Sequence, residues 1–110
     1  MGRRTELDAF KRDNMLVDII FAHKGINNAI GTKELARVLR EKGCDVPADH
    51  IHVTVSRIVH ERRLPICSVT HRGYYWATSK QDIQACIDSI EGKIRGLKER
   101  VDLLQSFICE

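Results

Sequence analysis

Between Asp49 and Arg72 the sequence sets polar and basic groups at spacings that a helix followed by a hairpin would present together. At about 100° per residue, Ile51, Val55, Ile58 and Val59 share one side of a helix, a stripe suited to a core. Asp49, His50, Val53, Ser56, Arg57 and His60 occupy the other side. A guanidinium can bond O6 and N7 of a guanine together, so Arg57 is the first candidate for a base edge. Val53 is either a contact for a thymine methyl or a packing residue against the preceding helix. Ser56 and His60 can reach bases or phosphates, with His50 at the margin. Thr32 and Lys33, at the start of an earlier helical segment, suit a phosphate. His71 and Arg72 suit an adjacent phosphate backbone or minor groove. This is the chemistry of polyanion recognition.

Several elements must position these groups. Asp13 to His23 reads as a first helix with Leu16, Ile19 and Ile20 on one face. Thr32 starts a second, its hydroxyl expected to cap the free N–H groups, with Glu34 in the first turn and Gly43 as a stop. Leu35, Val38 and Leu39 form its buried stripe, while Lys33, Arg37, Arg40 and Lys42 stay outside. Asp45 is the expected cap of the third helix, Pro47 suits its first turn and Pro65 ends it. Ile66–Val69 and Tyr74–Ala77 read as short strands turned at His71-Arg72-Gly73. Tyr74, Tyr75 and Trp76 alternate across their strand, so at least one belongs to the core. Ala29-Ile30 is a candidate short strand against the hairpin. The expected fold is mainly α with a small β wing, a winged helix-turn-helix over residues 13–78. Residues 1–12 form an arm or a helix extension, with Arg3, Arg4, Lys11 and Arg12 able to touch phosphates.

After Ala77 the pattern changes. Thr78 or Ser79 caps a new helix, and Ser79 with Asp82 resembles a capping box. Ile83, Ile87, Ile90, Ile94, Leu97, Val101, Leu104 and Ile108 then alternate spacings of four and three, a heptad seam that predicts a coiled-coil-like helix over residues 79–110. The first-seam positions Ile87, Ile94, Val101 and Ile108 are all β-branched, which favours two strands. Gly92 and Gly96 lie off the seam and each weaken the helix by about 1 kcal/mol. In a parallel pair Lys93 meets Lys98, so an antiparallel or splayed arrangement stays open. So does folding of this helix back onto its own domain.

Composition narrows the functional classes. The net charge of +3 is unevenly placed: residues 1–78 hold 13 Lys+Arg against 9 Asp+Glu, and residues 79–110 hold 5 against 6. The basic excess sits with the candidate reader, which permits nucleic acid without proving it. The sequence has neither a membrane-length apolar run nor a signal-peptide segment. Cys44, Cys67, Cys86 and Cys109 contain no CxxC pair and read as reduced thiols of a cytoplasmic protein. Cys44, His50 and His52 fit no zinc spacing. No cofactor is expected, and no phosphate loop, carboxylate pair or nucleophile motif points to an enzyme. His50, His60 and His71 near the proposed face would strengthen anion binding on acidification.

The run GTKELARVLR, the helix ending IVHERR, the hairpin LPICSVTHRGYYWATS and the helix SIEGKIRGLKERVDLL together resemble small winged-helix proteins encoded by phages and prophages of Gram-positive bacteria. The resemblance spans roughly residues 26–105. It is most specific at Pro65-Ile66, Gly73-Tyr74-Tyr75 and Ala77-Thr78-Ser79. It implies a winged-helix fold and DNA as ligand. The expected function is duplex DNA binding by a homodimer in phage or prophage replication or transcription control. Two alternatives stand beside it: a packaging-type DNA-recognition subunit whose last helix builds a ring, and a protein-interaction adaptor docking on a replication or polymerase partner.

Overall fold

Among the described residues, four helices and one hairpin follow in the order α1 (Gly2–Phe21), α2 (Thr32–Glu41), α3 (Ala48–Arg62), β1 (Ile66–Val69), β2 (Gly73–Trp76) and α4 (Lys80–Ile108), with a 3-10 turn at Ile26–Asn28. The computed structural model describes the backbone of residues 2–108 and the side chains of residues 8–108. The architecture is mainly helical, with a small antiparallel sheet and a long last helix. Among the described residues no helix is long and apolar enough to cross a membrane.

The expected arm and first helix are one element. Helix begins at Gly2 and ends at Phe21, where Ala22 and His23 close the last turn by bonds to Ile19 and Ile20 carbonyls. The side chains of Arg3 and Arg4, and all of Cys109, lie outside the described residues. Leu16, Ile19 and Ile20 recur at helical spacing and bury against Leu35 and Leu39 of α2 and Ile51, Val55 and Ile58 of α3. Val46, Ile30, Ile66 and Tyr74 complete this main core. Both partners of the expected tyrosine alternation are buried, on opposite faces: Tyr74 enters the main core, and Tyr75 enters a second cluster with Cys67 and Ala77.

Two caps differ from expectation. Gly31, not Thr32, is the cap of α2, and Pro47, not Asp45, is the cap of α3; neither offers a side-chain acceptor. Thr32 is itself the first helical residue, so its hydroxyl is past the position from which a cap reaches back. At the far end of α3 the helix stops before Pro65. Arg63 takes the left-handed conformation (φ 55°) and its N–H closes on the Val59 carbonyl, at about 1 kcal/mol for a residue with a Cβ.

The hairpin pairs Ile66 with Trp76 through Val69 with Gly73. Ile30 joins it as a bridge, exchanging both backbone bonds with Tyr74 at 2.8 Å. Gly73 (φ 110°) permits this approach, because a Cβ there would stand 2.1 Å from the Ile30 carbonyl oxygen. His71 (φ 69°) completes the turn in the same left-handed region.

Asp82 ties α4 to this body. Ser79 Oγ accepts the Asp82 N–H at 3.1 Å, as in the expected capping box. The reciprocal arm reaches one residue further, where the Asp82 carboxylate accepts the Thr78 N–H (3.0 Å) and hydroxyl (3.1 Å). Its other oxygen accepts the Ile26 N–H at 3.2 Å, from 56 residues earlier. The Tyr75 hydroxyl donates to the Asp82 backbone carbonyl at 2.6 Å. The Thr78 N–H first, and then the Ile26 N–H, hold the Asp82 carboxyl below its ordinary value, against the pull of burial. A depressed carboxylate contributes stability that is present above its unfolded value and lost as pH falls through the lower folded value. In urea unfolding, the advantage of the wild type over Asp82→Asn is expected to be constant above about pH 5 and to shrink below about pH 4. A pH-independent difference would contradict this role.

Candidate functional site

Helix α3 has four sides, and each meets something different. Its core side is Ile51, Val55 and Ile58. One flank turns to α1: a single terminal nitrogen of Arg57 donates to both oxygens of Asp13, at 2.8 and 2.9 Å, while the other terminal nitrogen bonds Glu61 at 2.9 Å. Arg62 bonds Asn14 at 2.8 Å one turn later. Asp13 is only 5% exposed, and Arg12 reaches it more weakly at 3.3 Å. The Asp13 hydrogen bond raises the Arg57 pKa further above its already high value. Arg57 therefore does not stand as the free base-edge donor that the sequence led us to expect. A buried carboxylate needs a charged partner, and Arg57 lies on the α1 side of the exposed arc.

His50 also falls on this flank, in a cleft with Asp8, Arg12 and Asp45, apart from the other candidates. The opposite flank, His52 and Ser56, turns to the hairpin. His52 Nδ1 pairs with the Tyr74 hydroxyl, whose pKa burial pushes up to about 12. The remaining outer ridge carries Val53 and His60. Val53 is 73% exposed, which excludes its packing against α2. Ser56, His60 and His52 line one groove along β1, with Cys86 and Ile90 of α4 as its far wall.

Beyond that groove lies an open cleft of about 730 Å³, lined by Gly31, Thr32 and Lys33, His52, residues 68–74 and Lys93. It gathers Thr32, Lys33, His71 and Arg72, four of the residues singled out in the sequence. The cationic side chains Lys33, Arg72 and Lys93 line it, and among the described residues no carboxylate does. The first-turn N–H groups of α2 have no side-chain cap at Gly31, and such groups attract anions. Glu34 in that turn is occupied, bonded to Arg37, which also holds Glu41. The Arg37 bond lowers the Glu34 pKa, and the two glutamates raise that of Arg37. His52 and Lys93 join the cleft from outside the residues singled out in the sequence. His52 was legible as a helix residue flanking the polar face, but nothing in the local pattern marked Lys93, which arrives on a helix more than twenty residues later.

The seam of α4 covers its own body only in part, Ile90 lining the β1 groove. The helix docks through Asp82, Ala85, Cys86 and Ser89, which are buried or half-buried. Ile83, Ile87, Ile90, Ile94, Leu97, Val101, Leu104 and Ile108 remain 40–82% exposed. Cys86 packs on the cluster of Cys67 and Tyr75. Burial, followed by the neighbouring Cys86, pushes the Cys67 thiol up to about 12, so it is a neutral packing group rather than a nucleophile.

Compared with protein-family models, curated proteins and solved structures, the chain matches none.

Arg57→Ala leaves Asp13 with only the longer Arg12 bonds. The expected cost in urea unfolding is about 1–2 kcal/mol, the exposure of the guanidinium damping the penalty. Ser56→Ala and His60→Ala are expected to stay within about 0.5 kcal/mol. Equal costs for all three would remove the structural role given to Arg57.

Proposed function

We propose that this chain binds duplex DNA as a homodimer, reading it as a winged helix-turn-helix. Helices α2 and α3 form the helix-turn-helix, and the β1–β2 hairpin is the wing. One observation carries the reading: a cleft that joins the uncapped start of α2, the hairpin tip and Lys93, lined by no carboxylate among the described residues, beside the exposed ridge of α3. Lys33, Arg72, Lys93 and the first-turn N–H groups of α2 hold phosphates, which position a protein without reading sequence. Val53, Ser56 and His60 are the residues left to touch base edges. Val53 suits a thymine methyl, and Ser56 is a donor or an acceptor. The α4 seam joins two copies, so that two readers meet one duplex. The setting in phage or prophage replication or transcription control rests on the sequence resemblance alone.

The exposed α4 seam also favours a second reading, in which the chain is an adaptor docking on an apolar protein partner. Salt separates the two. Phosphate contacts release counterions, so affinity falls steeply with salt, by a log–log slope of about 0.9 per contact. Binding to a short random-sequence duplex is expected to weaken steeply between low and physiological salt. The double variant Lys33→Ala/Arg72→Ala is expected to lower that slope by about 2 with unchanged circular dichroism. Absent or salt-independent binding, or a slope unmoved by the variant, would overturn the DNA reading.

A further inference from the structure

The two halves of α4 live in different surroundings. Up to Gly92 the helix has one face on the body, while from Lys93 to Ile108 every residue is exposed. That second half carries Ile94, Leu97, Val101, Leu104 and Ile108 at 47–82% exposure, with Phe107 beside them at 67%. A helix of this length without tertiary packing is marginal in water, and Gly92 and Gly96 each weaken it by about 1 kcal/mol. Its order calls for a covering surface. An apolar seam at spacings of three and four is complementary to itself, since each seam residue fits between those of an identical helix.

We infer that the exposed half of α4 pairs antiparallel with the same segment of a second copy, Leu97 facing Ile108 and Val101 facing Leu104. This deepens the self-association in the proposed function and is independent of whether the chain binds DNA. The charges beside the seam select this arrangement. Parallel pairing sets Lys93 against Lys98 of the second copy, and Lys93 already shares a cleft with Lys33 and Arg72. Longer antiparallel overlaps oppose either Lys98 to Lys98 or Lys93 to Arg100. The overlap of residues 97–108 avoids all of these. It places Lys98 beside Gln105, and Arg100 beside Phe107, where a guanidinium over an aromatic ring is favourable. Phe107, which a parallel two-stranded seam leaves in water, acquires a partner.

The pairing has two-fold symmetry, with one interface patch contributed by both copies. The two bodies sit at opposite ends of the joined helices, with the docked segments around Ile87 separated along the axis by about 46 Å at 1.5 Å per residue. The DNA-facing clefts are therefore not packed against each other.

Cysteine cross-linking of the full chain tests the orientation without DNA. In a Cys109→Ser background, Val101→Cys and Leu104→Cys chains are mixed under glutathione disulfide, which takes up the two electrons as the thiols join. The mixture is expected to give a covalent dimer, and each variant alone is expected to stay uncross-linked. Light scattering of the parent chain is expected to give twice its 12.6 kDa mass. Cross-linking of Val101→Cys with itself would overturn the antiparallel orientation and leave the dimer standing. A monomeric mass with no cross-link would overturn self-association as well. Neither result would bear on DNA binding, which the salt titration reads separately.

Discussion

The carboxylate of Asp82 is the constraint on which the arrangement turns. Its oxygens accept the Thr78 N–H and hydroxyl at the end of the hairpin and the Ile26 N–H after α1, while the Asp82 N–H donates to Ser79 Oγ at the start of α4. Two segments 56 residues apart meet at one side chain. Together with the Tyr75 hydroxyl on the Asp82 carbonyl, these bonds set the direction in which α4 leaves and its rotation about its axis. A helix rotated by one residue would turn about 100° and bring seam residues onto β1. As it stands, Cys86 packs against the cluster of Cys67 and Tyr75, and the seam residues stay 40–82% exposed.

A second constraint decides where the guanidinium of Arg57 goes. Asp13 is buried between α1 and α3 and draws Arg57 away from the exposed face. Arg57 thus joins α3 to α1, and the cationic groups that line the cleft come from three other places. Lys33 comes from α2, Arg72 from the hairpin tip and Lys93 from α4. Docking of α4 therefore brings Lys93 into the cleft. Gly73 completes it, because only a residue without a Cβ lets the hairpin tip lie against Ile30 and the start of α2.

Much of the fold was legible because burial follows period. Leu16, Ile19 and Ile20, Leu35 and Leu39, and Ile51, Val55 and Ile58 fall where helical spacing puts them, and the eight-residue seam of α4 lies along one line. A short strand at Ala29-Ile30 was expected against the hairpin, and Ile30 bridges Tyr74 there; the hairpin itself turns one residue earlier than expected, at residues 70–72, with Gly73 already in β2 and paired to Val69. Caps were less so: Thr32 and Asp45 are good capping residues by type, but the chain enters α2 and α3 through Gly31 and Pro47. Least legible were pairings between distant residues. Nothing local to Arg57 or to Asp13 announces a bond across 44 positions, nor does the box at Ser79–Asp82 reveal its third partner at Ile26. Thr32, Lys33, His71 and Arg72 were found by residue type, and their sharing of one cleft depended on the tertiary fold.

The most direct test of the account is amide chemical-shift mapping of the full chain during titration with duplex DNA at low salt. The account expects perturbations at Thr32 and Lys33, at Val53, Ser56 and His60, and at His71 and Arg72, with Leu97 to Ile108 unmoved. Perturbations confined to α4 or to the α1 side of α3 around His50, or none at all, would contradict it.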